Sequence, residues 1–315
     1  MINKIWRPKP KNCAGPVWRY DGNPIIGRNP FKGAARIFNS GVAEYNGKYA
    51  GIFRADGTNG VPHIYYGESA DGINWSFDTE RIKFSGGQNP GYSYDPRLVK
   101  IDDTYYIIWC TDIGAGWPTL GLASTKDFKR YERYPHGFLP FNRNGVLFPE
   151  KINGQFVMLS RPSDNAHTPF GDIYLSESPD LFYWGNHKHV MSKNPCGEGW
   201  SSLKIGAGPA PIKTKEGWLL LFHGAVATCS GYVYSMGAAL LDLKDPSKVV
   251  ARGKDYLLTP EAPYEETGFV PNVVFPCGEL HDKEGRLVIY YGAADTCLCL
   301  AFSKTDEILN FLRGV

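Results

Sequence analysis

Five times along the chain a strand-like run of apolar or alternating residues reaches a short polar turn, reverses and resumes. The hairpins read VAEYNGKYAGIFR, LVKIDDTYYIIWC, FPEKINGQFVMLSR, APIKTKEGWLLLFH and CGELHDKEGRLVIYYG, with turns at Asn46-Gly47, Asp102-Asp103, Asn153-Gly154, Glu216-Gly217 and Glu284-Gly285. A third strand rich in small residues follows and runs into a Ser/Asp turn, as in HIYYGESADGINW, TLGLASTKDFKRY and DIYLSESPDLFYW. The turns recur about every 50 to 70 residues, which suits a propeller blade of about four strands with insertions. One such hairpin cannot bury its own faces, so five sheets packed radially about an axis account for the repeat. The pattern predicts an all-β, five-bladed β-propeller, residues 1–315 forming one domain with a short N-terminal arm and a C-terminal helix. A β-sandwich would absorb the same strands but leaves their period unexplained.

Ionisable residues fall at equivalent places in each copy. The second strands end in FRAD (Arg54, Asp56), CTD (Asp112), SRPSD (Arg161, Asp164), FHG (His223) and YGAAD (Asp295). The segments entering the first strands carry FNS (Asn39, Ser40), YDPR (Asp95, Arg97), NRNG (Arg143, Asn144), LKIGAG (Lys204) and VPN (Asn272). In a propeller these strand ends ring one mouth of the axial channel, so the positions are expected to converge on one pocket. A single polar residue at a strand end simply meets solvent. Five clusters at equivalent positions ask for more, although Arg97, Asp112 and Asp164 also suit structural ion pairs.

Composition narrows the partners. Lys+Arg 34 against Asp+Glu 32 leaves a formal charge of +2, too weak a field to favour nucleic acid or an anionic membrane, so any anion site has to be local. The N-terminal MINKIWRPKPKNCAGPVW has no signal-like apolar core, and no run approaches the roughly 18 apolar residues of a membrane span. A soluble cytoplasmic protein is expected. Seven cysteines without CxxC or zinc-like spacing read as reduced and mostly buried. With no metal-ligand spacing, phosphate-binding loop or dinucleotide fingerprint, neither a metal nor an organic cofactor is expected.

The converging set contains one candidate acid and a group of cations. Asp95, its backbone fixed between Tyr94 and Pro96, suits assistance to a leaving oxygen in a cleft that limits water. Arg143, Arg161, Lys204 and His223 are donors suited to a phosphate dianion, which guanidinium forks bind through paired hydrogen bonds. Glycosidases usually set two carboxylates across the scissile bond. Here a bound phosphate would replace base-activated water as nucleophile.

Longer segments carry a family resemblance. RIFNSGVAEYNGKYAGIFRAD, YSYDPRLVKIDDTYYIIWCTD, PFNRNGVLFPEKINGQFVMLSRPSDNAHTPFGDIYLSESPD, LKIGAGPAPIKTKEGWLLLFHG, GYVYSMGAALLDL and FVPNVVFPCGELHD through YYGAADT span nearly the whole chain from Asn23 onward. They resemble the glycoside hydrolase family 130 mannoside phosphorylases, particularly the group acting on β-1,4-mannosides. The resemblance implies a five-bladed propeller that cleaves β-1,4-mannosides with inorganic phosphate, inverting the anomeric carbon to give α-mannose 1-phosphate and a shortened acceptor. It implies that Asp95 is the general acid, protonating the glycosidic oxygen through the sugar 3-hydroxyl. It further implies that Arg143, Asn144, Arg161, Lys204 and His223, with Tyr234 of GYVYS, bind phosphate, and that Asn39, Ser40, Arg54 and Asp295 bind mannose. Relatives in this group often form homo-oligomers, so a homo-oligomer is expected.

The chain departs from the family pattern in AGWPTLG, around Ala115 and Trp117, at Ala166, and in NPCGEGWSSLK, places that bear on acceptor choice more than on the catalytic core. Tyr94 and Trp117, in expected mouth loops, suit stacking on a sugar. His167 of HTPFGD suits an acceptor-side contact, whereas Trp75 and Trp184 fit blade packing better. Two other activities stay open beside phosphorolysis of β-1,4-mannosides: action on β-1,2-mannosides, and hydrolysis with Asp56 or Asp295 activating water. A carbohydrate-binding propeller without catalysis is the reading from a different class.

Overall fold

The computed structural model describes residues 2–86, 90–113, 116–135, 137–162 and 171–314. Its strands form five separate sheets in chain order. Blade 1 is Arg36–Tyr45, Lys48–Asp56, Pro62–Ser69 and Ser76–Arg81. Blade 2 is Tyr94–Ile101, Thr104–Ile113, Trp117–Thr125 and Tyr131–Arg133, with Phe84–Ser85 added parallel at its outer edge. Blade 3 is Asn142–Leu147, Phe156–Pro162, Ile173–Ser178 and Gly185–Met191, and blade 4 is Lys204–Ala207, Trp218–Thr228, Gly231–Leu241 and Val249–Arg252, with Ile212–Lys213 beside Trp218–Thr228. Blade 5 takes Val274–His281, Arg286–Ala293 and Cys297–Lys304 from the end of the chain and Val17–Arg19 from its beginning, Trp18 standing opposite Phe302. The ring is thus closed by pairing the two ends of the chain, and the fold is the five-bladed β-propeller that the repeat predicts.

The central strands are apolar on both faces because both faces are buried, each against a neighbouring blade. Alternate residues of one strand go to opposite neighbours. Leu219 and Leu221 pack with Leu287, Ile289 and Tyr291 between blades 4 and 5, whereas Leu220 and Phe222 pack with Val157 and Leu159 between blades 3 and 4. Val288 and Tyr290 turn the other way, onto Val42, Tyr49 and Phe53 of blade 1. Ile52 and Ile64 meet Ile107 and Trp109 between blades 1 and 2, and Ile108 and Cys110 meet Leu147 and Met158 between blades 2 and 3. Each of the five junctions has its own apolar cluster, and together they close the circle.

The hairpin turns explain why the chain reverses where it does. At Asn46-Gly47 and Asn153-Gly154 both residues have positive φ, 47° and 76° in the first and 52° and 79° in the second. Asn tolerates that region and Gly enters it freely, so the turn twist matches the strands. Trp75 packs edge-on against Phe53 and Trp184 lies tilted against Phe138, in blade cores as expected. The C-terminal helix Thr305–Arg313 docks through Ile308 on the cluster between blades 4 and 5. Neither this helix nor Pro263–Glu266 is long enough to cross a membrane. Cys110, Cys277, Cys297 and Cys299 are buried thiols, while Cys196 and Cys229 are exposed.

Candidate active site

Three blades repeat one irregularity at the axis. The ladder between the first two strands slips between Phe38 and Gly41 in blade 1, Tyr94 and Arg97 in blade 2, and Arg143 and Val146 in blade 3. Within each slip sits a residue with left-handed backbone, Asn39 (φ 50°), Asp95 (52°) and Asn144 (55°). A bulge breaks the two-residue alternation and re-aims a side chain. Here all three residues line one axial cavity, and Asn and Asp are the side-chain types that adopt this conformation most readily. Blade 4 has no slip; regular pairing from Lys204 with Ala225 to Ala207 with Phe222 sets Lys204 and His223 on the wall. Two glycines allow close approach: a methyl group at Gly206 would collide with the Asn144 amide and the His223 ring, and one at Gly292 with the Asn39 carboxamide.

The cavity measures about 550 Å³, within the range of small-ligand pockets. The structure brings Asn39, Arg54, Tyr94 and Asp95 onto its wall together with Arg143, Asn144, Arg161, Lys204, His223, Tyr234 and Asp295. Ser40 is fully buried behind the wall, its hydroxyl 3.5 Å from the Phe38 carbonyl, and does not reach the cavity. His167 and Asp164 lie outside the described residues. Trp117 is exposed and stands away from the cavity wall. Arg97 is structural, donating to the carbonyls of Gly208 and Asp95 at 2.7 and 2.9 Å, and Asp112 accepts the Tyr94 hydroxyl at 3.1 Å.

Blades 5, 1 and 2 contribute the carboxylate side. Asp95 Oδ1 accepts from Asn39 Nδ2 at 2.9 Å and from Arg54 Nη1 at 2.8 Å. Burial pushes its pKa up, but Arg54, Arg97 and Asn39 together outweigh burial and hold it below the usual carboxylate range. Asp295 goes the opposite way. Burial dominates, Arg54 offsets it only in part, and the charges of Asp95 and Asp56 add to it, so its pKa is pushed up to about 7. Near neutrality Asp95 is therefore ionised while Asp295 is partly protonated.

Blades 3 and 4 contribute the cationic side. Burial, with Arg143 nearby, pushes Arg161 down to about 10. Burial and the charges of Arg161 and Arg143 push Lys204 down to about 8. His223 is held well below its ordinary value by burial and by Arg161, Arg97 and Lys204, and is therefore neutral. Its Nε2 lies 3.1 Å from Arg161 Nη1 and 3.3 Å from Asn144 Nδ2; since both are donors, Nε2 accepts and the proton sits on Nδ1, which is buried and has no partner among the described residues. The ion pairs of the cavity involve Arg36 and Arg54, and among the described residues none involves Arg143, Arg161 or Lys204. Arg161 and Lys204 are thus depressed by burial and by neighbouring cations, whereas Arg143 is held above its ordinary value, burial being outweighed by Tyr94, Cys110 and Asp112.

Sequence reasoning passed over several wall residues. Tyr232 lies two residues before Tyr234 in one strand, so a period of two points it to the same side. Phe275, its ring 4.1 Å from that of His223, sits in an apolar strand that carries no polar signal. Tyr92 and Phe269 come from loops outside the repeat, where no periodicity marks them.

A family model for glycoside hydrolase family 130, described as β-1,4-mannooligosaccharide phosphorylase, matches residues 3–314. The chain is 48% identical to a β-1,4-mannooligosaccharide phosphorylase of Ruminococcus albus, with 100% of this chain and 96% of the relative covered. It is 33% identical to a β-1,2-mannobiose phosphorylase of Listeria innocua, with 94% and 98% covered. The solved structure of a Listeria innocua β-1,2-mannobiose phosphorylase in complex with β-1,2-mannobiose superposes with a TM-score of 0.85 at 32% identity, covering 95% of this chain and 99% of that one. The match along nearly the whole chain, in sequence and in fold, shows that the protein belongs to glycoside hydrolase family 130, the family of the β-1,4-mannooligosaccharide phosphorylases.

Proposed function

We infer that the protein cleaves β-1,4-linked mannosides by inverting phosphorolysis, releasing α-mannose 1-phosphate and a shortened acceptor. The observation that carries this reading is the division of charge around the ring: carboxylates gathered about Arg54 on blades 5, 1 and 2, and, on blades 3 and 4, Arg143, Arg161 and Lys204, which make no ion pair among the described residues. Hydrolysis by inversion requires a carboxylate base across the sugar from the acid. Asp56 and Asp295 stand instead on the same side as Asp95, interacting with the same guanidinium, and the facing wall is built for an anion.

In this reading phosphate lies against Arg143, Arg161 and Lys204, with Asn144, His223 and the Tyr234 hydroxyl completing the site. A phosphate oxygen attacks the anomeric carbon, the bond to the acceptor oxygen breaks with its electron pair on that oxygen, and the β-linkage becomes an α-phosphate ester. The leaving oxygen takes its proton from the mannose 3-hydroxyl, which Asp95 reprotonates. Asp95 is held in its ionised form by Arg54, Arg97 and Asn39, so the proton has to be taken up with the substrates. A bound sugar covers what remains exposed of the Asp95 side chain, 12%, and a bound phosphate adds negative charge nearby; both raise the proton affinity of the carboxylate. Asn39 and Arg54 orient Asp95 and offer donors to the mannose ring. Calorimetric titration of inorganic phosphate into the protein tests the anion site: saturable binding that Arg161→Met abolishes is expected, and equal binding by both proteins would contradict the reading.

A further inference from the structure

Arg54 is divided between two carboxylates. Its Nε and Nη2 donate to the two oxygens of Asp56 at 2.9 and 3.2 Å, while Nη1 donates to Asp95 Oδ1 at 2.8 Å. Asp56 ends the same blade 1 strand, is 2% exposed, and has Arg36 Nη2 at 3.9 Å from its Oδ2. The guanidinium also stacks over Phe38, its Cζ 4.2 Å from the ring centre. One edge of Arg54 is therefore occupied by Asp56 before Asp95 is reached.

We propose that Asp56 is a positioning residue for the reaction: by engaging the Nε–Nη2 edge of Arg54 it aims Nη1 at Asp95 as a single donor, fixing both the aim of the Asp95 carboxyl and how firmly its ionised form is held. The proposal rests on the reading of Asp95 as the acid. Were Asp56 neutral, the Nε–Nη2 edge would no longer be pinned, and Arg54 would be free to turn a pair of N–H groups onto Asp95; a forked guanidinium holds a carboxylate more strongly than a single donor. Loss of the Asp56 charge would act in the same direction, because a nearby anion favours the protonated acid. The other charged groups that act on Asp95, namely Arg97, Asp295 and Arg161, stay in place. The phosphate side stands on blades 3 and 4, away from this pair.

Asp56→Asn keeps the side-chain shape and removes the charge. On β-1,4-mannobiose with phosphate the expected result is a fall in kcat of about 10- to 100-fold, the scale of a misplaced catalytic group, with phosphate KM within about twofold of wild type. The basic limb of the kcat profile moves to lower pH, because protonated Asp95 becomes harder to maintain, and Asp56→Glu recovers part of the rate by restoring the charge. A raised mannobiose KM with unchanged kcat and pH profile would make Asp56 a sugar ligand and overturn the proposal. If wild type releases free mannose without phosphate, the phosphorolysis reading fails, yet the clamp is still tested on that hydrolysis through the same limb. A crystal structure of the variant needs no turnover: Arg54 is expected to turn toward Asp95, and an unmoved Arg54 would overturn the proposal. Should Asp56→Asn not fold, the structure and pH profile of Asp56→Glu decide, since a longer carboxylate must displace Arg54 and shift the limb if the clamp exists.

Discussion

Lys204 and Asp295 face each other's charge across the cavity and both hold protons abnormally. Lys204, pushed down to about 8 by burial and by Arg161 and Arg143, is an ammonium ion only below that pH. Phosphate needs the charged form, so phosphate KM should rise as pH passes upward through about 8, and Lys204→Met should show a high KM with this dependence removed; steady-state kinetics across pH checks both. Asp295, pushed up to about 7 from the ordinary 3.8, binds its proton more tightly folded than unfolded. Its contribution to stability is therefore complete below about pH 4 and lost as pH rises to about 7. The melting temperature of Asp295→Asn should fall less over that interval than that of wild type, and parallel curves would contradict the assignment. The identity of these residues is legible in the sequence because they stand at equivalent strand ends. Their protonation is not, since it depends on which neighbours a guanidinium from another blade reaches.

At the level of the element, the turns were the easiest feature to anticipate and the bulges the hardest. Asn46-Gly47 and Asn153-Gly154 advertise a local conformation that few other dipeptides adopt. FNSG, YDPR and NRNG look like strand beginnings, and nothing in a period of two says that the ladder slips there. The slip is what brings Asn39 to the cavity and leaves Ser40 behind it, although the two adjoin in sequence. Gly206 belongs to the same scale, because its missing side chain lets the Asn144 amide and the His223 ring meet. Gly206→Ala should raise phosphate KM by about 10-fold or more through misplaced donors, while mannobiose KM changes little; comparison of the two constants is the check.

For the molecule as a whole, closure of the ring is the feature that organises the rest. The strand Val17–Arg19 has only three residues and no hairpin partner nearby in sequence, so the repeat that reveals the other strands does not mark it. It joins blade 5 through Trp18, which is 3% exposed within the cluster between blades 5 and 1. Trp18→Ala should cost about 3–5 kcal/mol, the range for removing a buried aromatic ring, read as a lower midpoint in denaturant; unchanged stability would show that closure does not depend on it. A closed ring brings blades 3 and 4 opposite the carboxylates of blades 5, 1 and 2, and that opposition is the basis for assigning phosphate as the nucleophile. Proton NMR of the protein with β-1,4-mannobiose, recorded with and without inorganic phosphate, tests the assignment most directly. α-Mannose 1-phosphate and mannose should form in equal amounts when phosphate is present and neither when it is absent; free mannose released at the same rate without phosphate would contradict it.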